Sequence, residues 1–212
     1  MRFRFKQASD LETNCIILAG GKSLRLGHDK ILEKVGNSSL LEQVISRIDS
    51  LSKDIIIVTA EERTFPQFKG QPKIKVVSNI YPGKGSLGGI YTGLVTSKID
   101  YNIVVAADMP FLNQGLLRYM LEVSDGFDFI LPRIKTFFEP LYAVYSRHCI
   151  APIESLIKRE RKVIIELFDY VKVKFIETEE IDKFDPEHLS FFNINTKDDL
   201  ELAKRIAEGA VN

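Results

Sequence analysis

The sequence predicts an α/β fold, a three-layer α/β/α sandwich in which a mostly parallel sheet lies between two layers of helices. Three observations lead to this prediction. Short apolar runs rich in β-branched residues recur along the 212-residue chain. They alternate with segments of helical periodicity. The runs are apolar at consecutive positions, which is typical of strands covered on both faces.

The predicted strands are short and end at glycine or polar residues. They cover residues 14–19, 54–59, 74–77, 102–107, 127–131, 140–145, 171–176 and 191–194. The first run ends at Gly20-Gly21, and the fourth ends at Asp108. Ligands of such sheets bind beyond the carboxyl ends of the strands, so the residues that follow the strands are expected to carry the function.

The predicted helices fill the intervals between these strands. The first follows Ser38 and Ser39, which are good cap residues, and its spacing is helical at Leu40, Leu41, Val44, Ile45, Ile48 and Leu51. Further helices are predicted over 89–97, 113–123, 150–157 and 163–168. The last opens at Thr196, the predicted N-cap, with acidic residues in its first turn. Residues 1–13 are expected to form a tail or edge segment, and 14–212 a single domain.

Charge and composition exclude several classes of protein. The chain has 29 basic and 29 acidic side chains, and this balance argues against a protein that coats nucleic acid. No apolar run is long enough for a membrane-spanning helix, and the first ten residues lack the apolar region of a secretory signal. Two cysteines, Cys15 and Cys149, are too few for a disulfide framework or a zinc site. We therefore expect a cytoplasmic protein that binds neither nucleic acid nor membrane.

A glycine loop follows the first strand, with the sequence Leu-Ala-Gly-Gly-Lys-Ser-Leu-Arg-Leu-Gly-His-Asp-Lys over 18–30. Gly20 and Gly21 allow a sharp turn with accessible amides, which suits an anion. Lys22, Arg25 and Lys30 add positive charge that suits a triphosphate. The alternative is a tight turn with a solvated charged face, but the position at a strand's carboxyl end favours function. The Gly-Lys-Ser triplet is not a Walker loop, because isoleucine stands at position 16 where that loop needs glycine.

A second glycine-rich loop contains G-x-G-x-x-G at Gly83, Gly85 and Gly88, and Asp108 follows 20 residues later. This pattern suggests a dinucleotide-binding enzyme as the alternative. That fingerprint requires its first glycine to close directly on a strand, whereas residues 79–82 intervene here. Gly88 is instead predicted to open a helix whose N-terminus suits a phosphate or a polar base.

The third motif, Asp-Met-Pro-Phe, begins at Asp108 after a buried strand. A carboxylate in this place suits Mg²⁺, which takes one or two protein carboxylates together with phosphates and water. A helix cap or an ion-paired aspartate is the alternative, but agreement with the two glycine loops favours the metal. Asn193 and Asn195 lie two apart and would share one face of a strand, so either is a candidate for metal or acceptor. Local backbone hydrogen bonding is the alternative role for both.

Four motifs occur in one order along the chain: LAGGxSxRxGxDK, GSLGGI, DMPF and FFNINTKDDL. Together they resemble the MobA-like nucleotidyltransferases, and among them the molybdenum cofactor guanylyltransferases, from about Cys15 to Leu202. The segment from Glu139 to Tyr145 is similar to the EPLxAxY of that family. Ser86 and Lys197 stand where the family usually has proline. The resemblance implies a Rossmann-like sheet of the nucleotide-diphospho-sugar transferase type. It also implies transfer of GMP from GTP to the phosphate of molybdopterin, which forms molybdopterin guanine dinucleotide and pyrophosphate.

The resemblance also implies roles for individual residues. The nucleotide-binding set is Leu18, Ala19, Gly20, Gly21, Lys22, Lys30, Thr59, Asn79, Gly88 and Asp108. Arg25, Lys30 and Asp108 would act in catalysis, Asp108 and Asn193 would hold Mg²⁺, and Glu139, Asn193 and Asn195 would bind the acceptor. Transient contacts with molybdoenzymes or cofactor-delivery proteins are further expectations.

The choice of base is the open question of the sequence. Gly20 favours guanine, because cytidylyl relatives tend toward Leu-Ala-Ala-Gly. Thr59 and Asn79 fall where guanylyl members often have Asn and Asp. The alternatives are therefore a molybdopterin cytidylyltransferase, a sugar-phosphate or polyol-phosphate nucleotidyltransferase of the same fold, or a nucleotide-binding regulator without turnover.

Overall fold

A central sheet of eight strands organises the chain in the computed structural model, which describes residues 12–20 and 30–209. Its strands are β1 (Asn14–Leu18), β4 (Ile55–Thr59), β5 (Ile74–Ser78), β6 (Tyr101–Ala106), β7 (Phe129–Ile134), β8 (Phe137–Phe138), β9 (Tyr142–Ser146) and β10 (Val173–Glu177). A separate two-stranded hairpin is formed by β2 (Lys34–Val35) and β3 (Ser38–Ser39).

The sheet order is β10-β7-β9-β6-β1-β4-β5, and β8 pairs with β7. β1 lies between β4 and β6 and is parallel to both, with Cys15 opposite Ile55 on one side and Ile103 on the other. The prediction of a mostly parallel sheet is confirmed. One strand, β9, runs antiparallel to both of its neighbours, β6 and β7. An apolar run does not encode the direction in which a strand pairs, so this reversal was not predicted.

Within the described residues the α-helices are α1 (Leu40–Ile48), α2 (Gly85–Thr96), α3 (Gln114–Glu122), α4 (Ile150–Lys158), α5 (Thr178–Ile181) and α6 (Lys197–Ala207). Ser39 caps α1 in a capping box with Glu42, and Thr196 caps α6 in a capping box with Asp199. The predicted start of both helices is thus confirmed.

Helices cover both faces of the sheet. On one face, α1 and α3 pack with Leu41 and Leu116 against strand residues such as Ile17 and Ile57. On the other face, α2 and α4 pack with Leu94 and Ile153 against the alternate strand residues. Burial of both faces explains why the strands are apolar at consecutive positions. No described helix is long and apolar enough to cross a lipid bilayer.

Three predicted elements differ from the structure. The prediction that Gly88-Gly89 opens a helix is wrong, because α2 already begins at Gly85 and Gly88 lies within its first turn. The predicted strand over 191–194 is also wrong. Residues Leu189–Phe191 form a 3-10 turn, and the next residues connect it to α6. The predicted helix over 163–168 is a 3-10 turn at Ile164–Asp169.

The glycines of α2 are explained by close packing as well as by the turn before the helix. A Cβ added at Gly93 would lie 2.4 Å from Cγ2 of Ile16, and one at Gly89 would lie 3.1 Å from Cδ2 of Leu18. The absence of side chains at these two positions lets α2 lie directly on β1. This close approach fixes the first turn of α2 beside the carboxyl end of β1.

Candidate functional site

An ion pair lies at the carboxyl edge of the sheet, just beyond β6. Lys30 Nζ donates to Oδ2 of Asp108 at 2.6 Å and to the carbonyl oxygen of Ile194 at 2.7 Å. The Lys30 and Asp108 side chains are 15% and 19% exposed. Lys30 Nζ also lies 3.5 Å from Oδ1 of Asn195. Lys30 therefore meets, at one point of the edge, three residues that lie 78, 164 and 165 positions further along the chain.

The segment before α6 is held against this pair by backbone hydrogen bonds. The Ile194 amide donates to the Asp108 carbonyl at 3.0 Å. The amides of Asn195 and Thr196 both donate to Oδ2 of Asp199 at 2.8 Å. These bonds make the segment a helix cap, and this explains why it does not continue as a strand. Asn193 and Asn195 consequently do not share the face of a strand, and Asn193 Nδ2 donates to the Phe191 carbonyl at 3.0 Å.

Glu139 is a buried carboxyl group on the other side of Asp108, immediately before β9. Its side chain receives a hydrogen bond from the Leu141 amide at 3.2 Å, and the residue is 7% exposed. Burial raises its pKa to about 7; the Leu141 hydrogen bond opposes that rise, and the negative charge of Asp108 adds to it. The sequence predicted Glu139 as an acceptor contact, but its burial and its proximity to Asp108 come only from the fold.

The described part of the first glycine loop extends the sheet before it turns. The Ala19 amide donates to the Val58 carbonyl at 2.8 Å, and the Leu18 carbonyl accepts from the Ala107 amide at 3.1 Å. The Ala19 amide is therefore occupied within the sheet. Gly20 is exposed, and a Cβ on it would lie 3.1 Å from the Ala60 nitrogen. The other predicted members of this loop, Gly21, Lys22 and Arg25, lie outside the described residues.

Asn79 and Thr59 lie at the far end of the same edge, after β5 and at the end of β4. Thr59 is 1% exposed, and its hydroxyl donates to the Glu61 carbonyl at 2.7 Å. The Asn79 amide donates to the Thr59 carbonyl at 2.8 Å. Gly88 packs on this corner, since a Cβ there would lie 2.6 Å from the Tyr81 carbonyl oxygen and 3.0 Å from Oδ1 of Asn79.

Sequence reasoning missed two contributors to the edge. The Ile194 carbonyl binds Lys30, and no side-chain motif signals a backbone oxygen. Thr92, in the second turn of α2, donates to the Gly88 carbonyl at 2.8 Å and lies 3.1 Å from Oδ1 of Asn79. A threonine within a helix often bonds the carbonyl four residues earlier, but the pattern does not reveal its second partner.

A groove of about 730 Å³ lies beside β5, and Val77 and Ser78, which precede Asn79, are part of its lining. Its lining includes Arg63, Phe65, Phe68 and Val76. None of the predicted site residues lines it. The predicted site residues instead lie in the order of the strands: Glu139 before β9, Asp108 after β6, Gly20 after β1 and Asn79 after β5.

Comparisons with known proteins match the chain to one family. Residues 15–171 match the family model of the MobA-like NTP transferase domain. A probable molybdenum cofactor guanylyltransferase of Pelotomaculum thermopropionicum is 33% identical over 200 residues, which cover 94% of this chain and 96% of the relative. A molybdenum cofactor guanylyltransferase of Desulfosudis oleivorans is 33% identical over 191 residues, or 89% and 93% of the two chains. The crystal structure of molybdopterin-guanine dinucleotide biosynthesis protein A from Archaeoglobus fulgidus superimposes with a TM-score of 0.80 at 27% identity, covering 92% and 99%.

Proposed function

This chain belongs to the MobA-like NTP transferases, and from that membership we propose that it transfers GMP from GTP to the phosphate of molybdopterin. The products are molybdopterin guanine dinucleotide and pyrophosphate. The chain is a nucleotidyltransferase, and its similarity to two guanylyltransferases over most of its length supports guanine as the base and molybdopterin as the acceptor.

The observation that carries the proposal is the Lys30–Asp108 pair at the centre of the carboxyl edge. The strand order places Glu139 on one side of this pair, toward β9, and Thr59 and Asn79 on the other side, toward β4 and β5. We assign the first side to molybdopterin and the second to the nucleoside. In-line transfer then requires the pyrophosphate to leave on the side of the α-phosphorus opposite the molybdopterin phosphate.

The reaction needs little covalent help from the protein. An oxygen of the acceptor phosphate forms a bond to the α-phosphorus of GTP, and the bond from that phosphorus to the bridging oxygen of the leaving pyrophosphate breaks. A phosphate monoester has a second pKa of about 6, so the nucleophile is already an anion near neutral pH. Such transfers depend on alignment and charge stabilisation, and the ammonium group of Lys30 supplies positive charge at this place.

Enzymes of this family generally use a divalent metal, and we propose Mg²⁺. Asp108 offers a partly exposed carboxylate, a hard oxygen ligand of the kind that Mg²⁺ prefers. The described residues contain no group of three His, Cys, Asp or Glu side chains that would form a closed metal cage. One carboxylate fits an ion that takes its other ligands from phosphates and water, with Oδ1 of Asn193 as a second protein ligand. When bound, Mg²⁺ would offset the charge of the phosphates.

Glu139, Asn193 and Asn195 are the acceptor contacts that we propose. A carboxyl group with a pKa of about 7 is partly protonated near neutral pH, and its O–H can donate to an oxygen of the acceptor. We also propose that residues 14–212 act as one domain in the cytoplasm, with transient contacts to molybdoenzymes or cofactor-delivery proteins.

Pyrophosphate release from each of GTP and CTP, with molybdopterin and Mg²⁺, tests the proposal. We expect release that depends on molybdopterin, with GTP preferred at least about tenfold, the smallest ratio that a difference in base contacts normally gives. Preference for CTP would identify a cytidylyltransferase. Binding of GTP without any release would identify a regulator that lacks turnover.

A further inference from the structure

The side-chain amide of Asn79 is fixed in one orientation. Its oxygen Oδ1 accepts from the Tyr81 amide at 3.0 Å and lies 3.1 Å from Oγ1 of Thr92. A backbone N–H can only donate, so the atom that faces Tyr81 is the oxygen and not the NH₂ group. Thr92 is held in turn, because its hydroxyl oxygen accepts from the Ile80 amide at 2.9 Å and lies 2.8 Å from the Gly88 carbonyl.

Only the NH₂ group of Asn79 is left for a ligand. Within residues 12–20 and 30–209, no hydrogen bond to its Nδ2 is formed, and Asn79 is half-buried. Asn79 therefore presents a donor and no acceptor. The neighbouring Thr59 hydroxyl is buried and donates inward to the Glu61 carbonyl. Neither side chain offers an acceptor to a base.

Asn79 lies where the base of a bound nucleotide would reach. Gly20 contacts Ala60, and the Thr59 carbonyl accepts from the Asn79 amide, so one continuous edge joins the glycine loop to Asn79. Strands lie about 4.8 Å apart, which separates the ends of β6 and β5 by about 14 Å. That separation suits a nucleoside triphosphate whose phosphates lie beside Asp108.

The chemistry of the purines determines which of them an N–H donor selects. Guanine and hypoxanthine both have an acceptor oxygen at position 6, whereas adenine has a donor amino group there. Guanine alone of the three adds a 2-amino donor, which only an acceptor could recognise. We propose that Nδ2 of Asn79 donates to O6 of the purine, so that the enzyme uses ITP as well as GTP and discriminates against ATP. This inference rests on the proposed function and names the base feature that its nucleotide site recognises.

The test compares kcat/KM for GTP, ITP, ATP and CTP in pyrophosphate release by the full chain with molybdopterin and Mg²⁺. We expect GTP and ITP to agree within about threefold and ATP to be at least about 30-fold poorer, since the Asn79 donor would face the donor amino group of adenine. A tenfold or larger preference for GTP over ITP would overturn the inference and leave the proposed function intact. If CTP is used and GTP is not, the proposed function fails, and this inference fails with it.

The variant Asn79→Asp sharpens the test, because it replaces the NH₂ donor with a carboxylate oxygen and retains an oxygen for the Tyr81 amide. A carboxylate accepts from the N1–H and the 2-amino group of guanine, so we expect this variant to prefer GTP over ITP at least about tenfold, unlike the wild type. Asn37→Asp makes the same change in the exposed turn between β2 and β3 and should leave the ranking unchanged. An unchanged ratio of GTP to ITP in Asn79→Asp would contradict the inference. Should that variant not fold, the wild-type ranking of the four nucleotides still decides the question.

Discussion

The two ends of the central sheet differ in the kind of polar side chain that they bury. At the amino end, Asn14 Nδ2 donates to Ser97 Oγ at 2.9 Å and its Oδ1 accepts from the Asp54 amide at 3.0 Å. Both partners are uncharged, and Asn14 is buried. At the carboxyl end, Lys30, Asp108 and Glu139 bring charged or ionisable groups together. Folding alone does not require such groups. Mutations at the amino end should therefore reduce stability, and mutations at the carboxyl end should reduce activity.

The largest effect is expected for Asp108→Ala. This variant removes the proposed Mg²⁺ ligand and the partner of Lys30, so we expect transfer to fall by about 10³-fold or more. Lys30 keeps the Ile194 carbonyl as a partner, and the free energy of unfolding should change by only about 1–2 kcal/mol. Activity assays and urea unfolding of the same preparation measure both quantities. Full activity of the folded variant would remove Asp108 from the proposed site.

The next effect is that of Lys30→Ala, which removes positive charge from the centre of the edge. We expect kcat to fall about 100-fold, with a smaller loss of stability. Lys53→Ala is the matched control, because Lys53 forms an exposed ion pair with Glu12 and should alter neither quantity. If the losses of kcat and stability in Lys30→Ala prove equal in free energy, Lys30 is a structural residue.

Asn14→Ala tests the amino end. It leaves the Asp54 amide and the Ser97 hydroxyl without their partner in a buried place, so we expect a loss of about 2 kcal/mol in the free energy of unfolding. The kcat of the folded fraction should be unchanged. A loss of kcat at wild-type stability would show that the amino end of the sheet contributes to activity as well, contrary to the comparison.

A pH-dependent effect is expected for Glu139→Gln without metal or nucleotide. The pKa of Glu139 rises to about 7 in the folded protein from 4.5, so the folded state loses stability as the pH rises through this interval. Glutamine does not ionise and retains an oxygen for the Leu141 amide. The variant should be more stable than the wild type by on the order of 3 kcal/mol at pH 8 and nearly equal to it at pH 4. Thermal melts at the two pH values provide the measurement, and an equal difference at both would contradict the assigned pKa.

The parallel half of the sheet could be predicted from the sequence because each of its strands is indicated by the residues of that strand alone. The runs that became β1, β4, β5 and β6 are apolar, β-branched and closed by glycine or polar residues. The start of α6 was equally local, since Thr196 and Asp199 form its capping box. Each of these signals lies within one element and does not depend on distant residues.

The remaining features depend on contacts that are distant in sequence. The direction of β9 is decided by pairing with β6 and β7, and the segment at 191–194 is decided by the Asp108 carbonyl and Asp199. The start of α2 was predicted too late because the adjacent glycines Gly88 and Gly89 suggested a helix N-terminus, whereas they lie within the helix and are needed for close packing. In the site, the roles of Asp108 and Lys30 remain predictions from motif and position. Their pairing and the orientation of Asn79 came only from the fold.

The order of polar groups along the strand ends has an evolutionary consequence. Asn79 at the end of β5 and Glu139 beside β9 are separated by the ends of β4, β1 and β6. Substitutions this far apart, without shared partners, usually change free energies additively. With the two roles proposed above, a lineage of such enzymes can therefore exchange one substrate while it retains the other, and new pairs of nucleotide and acceptor become accessible through single mutational steps.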